Sequence, residues 1–569
     1  MLADALIDTR HTGRLAQRPG VSEMLANPMR TFHTVRHLQA RQIAYQALRR
    51  VQPVDRTDVS SGDAAVLLAR NPVPQAFASP DVFDGRRFSF LNRPIAWGGA
   101  DRWHPAGADD LWIFNLHYFK YLPSIDPACA QALLADWIAQ NTDRGAAGWH
   151  PYPISLRVRE WIEWLQAHPH APASLRATVT NSLVAQVASL ARRLEFNLMG
   201  NHLLENAITL CWAGCSFSGP LADAWLRAGE ALFEQEIERQ VPGDGFHEER
   251  SPMYQAQLAE AVLRLAEVAA QTPRPSAARL AASARRTGIR MLIALEPLVH
   301  PDGGYALMND TALGIAAPFQ TLVDRFDPER RAGQAVRTAR AGGFYTSRHE
   351  DGAYLLFDAG PIGPDHQPGH GHAGALSFEL SARGRRVVSD TGVLTYAAGS
   401  ARRHDRSTAA HNTVEIDGRD QSEVWGAFRC GRRASILTAG ADDVREGSTL
   451  VASYRGPGRR RMQPVEHARQ IFVNRRVLAF TDTLTAGGDH QATLRVHLAP
   501  ELQVKVHGHI CHVADSHRPV ATLIADGFDW AASSSPYHPE FGRELARPCL
   551  SARLRFHDQA VAKWWLLLN

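Results

Sequence analysis

The 569 residues are more than one ordinary core organises, so two or three domains are expected. Hydrophobic residues make up 45% and charged residues 21%, the balance of a soluble globular protein, and a net charge of +4 is far from a nucleic-acid-binding signature. No apolar run reaches the length of a membrane span, and residues 1–20 lack the basic start and apolar stretch of a secretory leader. The chain as given therefore reads as cytoplasmic, with the periplasm or cell envelope as the alternative.

Residues 1–110 read as an N-terminal extension. It opens with a helical pattern, basic from Arg36 to Arg50, and continues through an irregular, Pro- and Gly-bearing stretch from Pro72 to Trp103. Residues 111–340 are dominated by helical periodicity. They open with Leu111–Lys120, and further helices are expected at about 127–142, 155–167, 174–195, 202–216, 219–240, 254–272 and 276–296. So many consecutive helices suggest hairpins laid side by side. The six cysteines include no zinc-type pair, and Cys211 and Cys215 fit buried free thiols in a helix.

From 341 to 569 the pattern changes to short alternating segments such as Ala353–Asp358, Leu376–Ser381, Thr413–Ile416 and Val477–Thr483, separated by glycine turns. This reads as an antiparallel β-sandwich. The apolar run Trp564–Leu568 is expected to close a sheet.

Three constellations could carry chemistry. In the sandwich, His370 and His372 would share a face of an extended segment, and Asp390 and His411 follow within about forty residues. Imidazole nitrogens and a carboxylate oxygen suit zinc or a similar divalent ion, leaving one histidine over. Histidines hydrogen-bonded within a sheet are the plainer alternative. The simplest hairpin register across Arg383-Gly384 sets Asp390 opposite Ser377 rather than His372, so a bulge or folded-back loop would be needed. His507-Gly508-His509 has the same spacing but no partners at similar offsets, and reads as an exposed strand face.

In the helical part, Asn201 could cap a helix starting at His202, and Glu205, three residues on, could orient the imidazole. Ser251-Pro252 is a helix start, which puts Tyr254 in the first turn, where the helix terminus favours a phenolate.

Taken together, Phe114–Phe119, Trp149–Arg157, Gly200–Asn206, Asp244–Tyr254, Gly369–Ala373 and His411–Val414 resemble the heparinase II/III-like polysaccharide lyases, over most of the chain from about 110 onward. The first two pieces look most like a bacterial branch associated with exopolysaccharides. The resemblance implies an incomplete α/α toroid followed by an antiparallel β-sandwich, acting on a uronic-acid-containing, acidic polysaccharide by β-elimination. It implies that Tyr254 and His370 divide the acid and base roles, in an order the sequence leaves open. Asn201 and His202 would neutralise the uronate carboxylate or assist proton abstraction. His372, Asp390 and His411 would hold a divalent metal, usually zinc and mainly structural, and on this reading the register objection to Asp390 falls away. Glu205 is a candidate substrate-binding residue, and Arg250, Arg402, Arg403 and Arg406 are candidates for holding substrate carboxylates or sulfates, with solvated surface arginines the plainer reading for most of them. Such a site would draw on both domains and lie in a cleft between them. A metal-dependent glycan hydrolase and a non-catalytic polysaccharide-binding protein of an exopolysaccharide system are the alternatives.

Overall fold

The computed structural model describes residues 27–51, 66–77, 82–330, 338–349, 353–457, 464–516 and 518–569. The reading of residues 1–20 lies outside them, as does residues 331–337, just before the boundary expected at 340. The chain divides into two compact units. Among described residues, the first takes 38–242 and 256–291, and the second takes 27–37, 243–255 and 292–569. The change from helix to sheet packing thus falls near 291, about fifty residues before the expected boundary, and a short segment ending at Gln255 joins the sheet unit.

The first unit is an incomplete helical toroid. After Ala40–Val51, its helices are Asp110–Tyr118, Pro127–Gln140, Pro151–Ala167, Ala173–Arg192, Gly200–Ser216 and Pro220–Gln240, followed by parts of Pro252–Ala270 and Pro275–Leu295. Five of these begin with proline, which fits the first helical position because its missing N–H would be unpaired there anyway. Helix Pro151–Ala167 therefore starts four residues before the expected start, with Pro151 and Pro153 both inside its first turn.

Helices Gly200–Ser216 and Pro220–Gln240 pack closely through reciprocal glycines. A Cβ on Gly214 would lie 2.6 Å from the Leu226 backbone nitrogen, and one on Gly229 would lie 2.6 Å from the Cys211 backbone nitrogen. Cys211 and Cys215 are buried free thiols. Arg157 is fully buried and saturates its guanidinium on Gln186 (2.8 Å) and on the carbonyls of His117 (3.0 Å) and Gly148 (2.7 Å), so the Trp149–Arg157 segment serves the helical core. The stretch read as irregular contains a hairpin, Arg87–Phe90 with Arg93–Ala96. Its turn residues Leu91 and Asn92 have φ of 55° and 57°, as a two-residue hairpin turn requires.

The second unit is an antiparallel sandwich of a five-stranded and a ten-stranded sheet. Its core joins Leu355, Phe357 and Phe378 of the smaller sheet to Leu478, Phe480 and Trp564 of the larger. Phe480 and Trp564 stack at 3.7 Å, an aromatic pair of the kind worth about 0.5–1.5 kcal/mol beyond its burial. The C-terminal strand Arg543–Leu568 does not close an edge. It runs in the middle of the larger sheet, between strands Val477–His497 and Pro519–Asp526. His507-Gly508-His509 is a hairpin turn between strands Gln503–His507 and Ile510–Ala514, with Gly508 at φ 60°, and not the face of one strand. No helix among the described residues is long and apolar enough to cross a membrane.

Candidate active site

In the sheet unit the site is built on the start of helix Pro252–Ala270. Ser251 accepts from the Tyr254 amide (3.3 Å), as expected of an N-cap, and its hydroxyl donates to the Asp310 carbonyl (2.7 Å). Arg250, at φ 59°, makes the turn into the helix. Tyr254 is thereby held in the first turn, half-buried, with its ring on His370 at 4.4 Å between centroids and its hydroxyl 3.1 Å from that of Tyr396.

His370 and His372 lie in a loop rather than on a strand, and they meet at a residue outside every sequence motif. Asp310 is fully buried; its Oδ2 lies 2.8 Å from Nδ1 of His370 and its Oδ1 lies 2.9 Å from Nε2 of His372. Arg402 closes on the same carboxylate with both terminal nitrogens, the Nη2 contact at 2.7 Å. Asn309, at φ 55°, fastens this hub at two points. Its side chain accepts from the His372 amide (3.1 Å) and donates to the Arg250 carbonyl (2.9 Å).

Burial alone would raise the Asp310 carboxyl, but Arg402 and the two imidazoles hold it well below the usual range, so it is an anion. With Nδ1 of His370 donating to that anion, Nε2 is left for proton exchange; it lies 3.7 Å from Glu249. Burial, then Tyr396, Asp310 and Glu249, push the Tyr254 phenol well above its ordinary value. This reverses the phenolate expectation. The helix terminus is outweighed, and the neutral phenol is the favoured form of Tyr254.

His372, Asp390 and His411 also come together, in a different arrangement from the expected ligand set. His411 Nδ1 is 2.9 Å from both oxygens of Asp390, which also accepts from Ser377 Oγ (3.1 Å) and from the Thr391 amide (2.7 Å). Ser377 therefore does lie beside Asp390, as the simple register expects, and the pairing of strands Phe378–Ala382 and Arg385–Val388 slips between Leu380 and Ser381. The His372 and His411 rings are 5.4 Å apart, and each keeps one buried nitrogen, Nδ1 and Nε2 respectively, without a hydrogen-bond partner. Among the described residues no three His, Cys, Asp or Glu are arranged to hold a metal ion as they stand. In donor type the set fits a zinc-class ion, with two open imidazole nitrogens beside a carboxylate that His411, His372 and Arg547 hold ionised against the effect of burial.

The helical unit carries the other constellation. Helix Gly200–Ser216 starts at Gly200, so Asn201 is a buried first-turn residue and not the cap. Met199 occupies the cap position at φ 62°. His202 is oriented by Glu195 and not by Glu205. Nδ1 of His202 is 3.0 Å from Glu195, which is fully buried and also accepts from Asn206 (3.0 Å). Burial would raise the Glu195 carboxyl, but His202 and His150 bring it down to about 2. Tyr152 covers the His202 ring at 4.3 Å. Glu205 is buried in a 2.6 Å ion pair with Arg159.

Of the four arginines expected to grip substrate, Arg403 is exposed and the other three are interior residues. Arg250 is 4% exposed and spent on Asp358 and on the carbonyls of Gly342 and Pro361. Arg402 is 0% exposed and bound to Asp310. Arg406 is 1% exposed and bonds the carbonyls of Gly371, Ala427 and Arg429. Each side chain carries five donors, which suits it to locking a loop from within when carbonyls converge on it. None of the three reaches solvent to meet a polymer, and Glu205 is likewise closed off.

Two family models match the chain, Heparinase II/III N-terminus over residues 126–323 and Heparinase II/III-like, C-terminal over residues 331–563. The chain is 25% identical over 400 residues to a heparin-sulfate lyase of Pedobacter heparinus, covering 64% of this chain and 56% of that protein. It is 29% identical over 361 residues to FtsZ-localized protein C of Caulobacter vibrioides, covering 60% of this chain and 59% of that protein. It thus spans less than two thirds of the length of either relative. The crystal structure of heparinase III superposes with a TM-score of 0.66 over 99% of this chain and 93% of that one, at 16% identity, which bears on the fold alone.

Proposed function

The chain belongs to the heparinase II/III-like family, and from that premise we propose that it is a polysaccharide lyase cleaving a uronic-acid-containing polysaccharide by β-elimination. The observation that carries this reading is the pairing of Tyr254 with His370, one a neutral phenol and the other an imidazole braced on a buried carboxylate.

The chemistry calls for these groups. The C5 proton of a uronate is a weak acid because its removal adds negative charge beside a carboxylate. Fixed dipoles or a cation must first neutralise that carboxylate. We assign this role to Asn201 and His202, with Nδ1 of His202 set 3.0 Å from the Glu195 carboxylate. Tyr254 and His370 then exchange the C5 proton and the proton delivered to O4, each transfer being worth typically about 10²–10⁴-fold. A phenol held protonated is suited to the O4 side, and the free Nε2 of His370 to the C5 side; the stereochemistry at C5 decides whether they exchange these duties. A divalent ion held by His372, Asp390 and His411 would supply a structural tie beneath the loop that carries His370, and no proton step passes through it.

The relative named as a heparin-sulfate lyase points to glycosaminoglycan-like substrates, and a bacterial exopolysaccharide of the same chemistry is the other member of this class. The test is incubation with glycosaminoglycans, alginate and bacterial exopolysaccharides, followed by ultraviolet absorbance of the new C4–C5 double bond. No absorbance from any of them would sink the proposal, and saturated fragments would indicate hydrolysis instead.

A further inference from the structure

One end of the sheet unit collects basic turns. Arg383-Gly384-Arg385 links strands Phe378–Ala382 and Arg385–Val388 of the five-stranded sheet. In the ten-stranded sheet, Arg475-Arg476 turns the chain into strand Val477–His497, and Arg518 lies in the turn before strand Pro519–Asp526. Register brings the latter two together, because Val477 and Thr522 both pair with Leu567 on either side of the C-terminal strand.

These arginines and Arg386 line a cavity of about 490 Å³, which shares no residue with the candidate active site. Six guanidiniums line it against a single side-chain carboxylate, Glu501. Just beside it, Asp515 pairs with Arg385 (2.7 Å), and Asp302 pairs with Arg386 (2.8 Å). Positive charge remains in excess among the described residues. Arg386 is 8% exposed, and its Nη1 has no hydrogen-bond partner; the nearest carboxylate oxygen, on Glu379, is 3.9 Å away. Part of the wall is apolar, with Val387, Leu502 and Val520.

Clustered like charge repels itself, whereas a concave basic surface attracts anions and concentrates them. The guanidinium fork matches carboxylate and sulfate, and an apolar wall suits the C–H face of a sugar ring. The volume is in the range of a small-ligand site, enough for a sugar unit or two. We propose that this cavity is a second glycan-binding site, which takes the carboxylate or sulfate groups of an acidic polysaccharide and holds long chains on the protein. The choice of a glycan as the anion rests on the lyase reading above, but binding here does not require turnover.

The experiment uses the full chain carrying Tyr254→Phe, so that the probes stay intact, and measures fluorescence anisotropy with labelled alginate and with a labelled sulfated glycosaminoglycan of equal length. Adding Arg383→Ser, Arg475→Ser and Arg476→Ser, all in exposed turns, is expected to raise Kd about tenfold or more for at least one probe, with a shallower salt dependence. Thermal melting confirms that the variant is folded. Unchanged affinity for both probes in the folded variant would overturn the proposal. So would single-stranded DNA of equal length binding more tightly than both glycans and losing that affinity in the variant. A protein that binds glycan through these arginines but forms no unsaturated product would leave this site standing and remove the lyase reading.

Discussion

Asp310 touches Nδ1 of His370 at 2.8 Å from a position with no solvent exposure, and it is the one carboxylate shared by His370, His372 and Arg402. It is a positioning residue: it fixes the imidazole's tautomer and orientation. Replacing Asp310 with asparagine keeps the shape and removes the charge that Arg402 needs. Leaving a buried guanidinium uncompensated costs about 3–5 kcal/mol, so a clear fall in melting temperature is expected. In protein that remains folded, kcat should fall about 10–100-fold with KM nearly unchanged, because the residue acts through His370 and not on the polymer. Equal losses in kcat and in glycan binding would show a general collapse of the loop instead.

Tyr254 and Tyr396 share a hydroxyl contact at 3.1 Å, and both rings neighbour His370, Tyr254 more closely at 4.4 Å between centroids against 5.8 Å for Tyr396. Tyr254→Phe removes a proton carrier, and the rate of unsaturated product should drop by about 10²–10⁴-fold. Tyr396→Phe removes only a neighbour that helps keep the Tyr254 proton in place, and about a tenfold loss or less is expected. Initial rates on the best substrate decide the matter, and a Tyr396→Phe loss as deep as that of Tyr254→Phe would make Tyr396 the proton carrier.

The Ser251-Pro252 start was legible because capping chemistry is local, and with it the placement of Tyr254 in the first turn. The seven helices from Pro127 to Leu295 followed from periodicity for the same reason. Asp310 was not legible. It lies in an irregular loop with no period, and the partners of its carboxylate are 60 or more residues away in the chain. The arginines failed differently. Residue type announces a charge, but only the three-dimensional arrangement of carbonyls reveals that Arg250 and Arg406 are spent inside. Glu205 had the helical spacing to serve His202, but its face of the helix turns inward to Arg159. Glu195 reaches His202 because the chain reverses at Met199, whose positive φ no pattern of side chains foretells.

Glu195 stands to His202 as Asp310 stands to His370, and it can be tested separately. Glu195→Gln should leave the imidazole less readily protonated, since the anion that favours the cation is gone. If the cationic imidazole neutralises the substrate carboxylate, kcat/KM should fall about 10–100-fold, and the loss should deepen as pH rises. Glu205→Gln should instead show itself in melting temperature, because it unpairs the buried Arg159. Identical pH–rate profiles for Glu195→Gln and the parent protein would remove His202 from carboxylate neutralisation.

The buried histidines make a further prediction about acid. Burial is the largest influence on each of them. It brings His150 down to about 3, holds His117 and His497 well below the ordinary value, and lowers His300 and His467. In the unfolded chain each would take up a proton near pH 6.5. Between that pH and the lowered folded value the unfolded state binds more protons, so stability falls as pH falls. Each fully shifted histidine contributes a slope of about 1.4 kcal/mol per pH unit, starting near pH 6.5. Glu195 adds a second window. Its folded value of about 2 lies below its ordinary 4.5, so the stability its anion supplies is lost between those limits as acid is added. Denaturant titrations at pH 7, 6 and 5 should therefore show a progressive loss of unfolding free energy well above the range where carboxylates titrate. His150→Gln and His497→Gln should each flatten that slope, and a stability that stays level from pH 7 to 5 would contradict the neutral, buried state assigned to these rings.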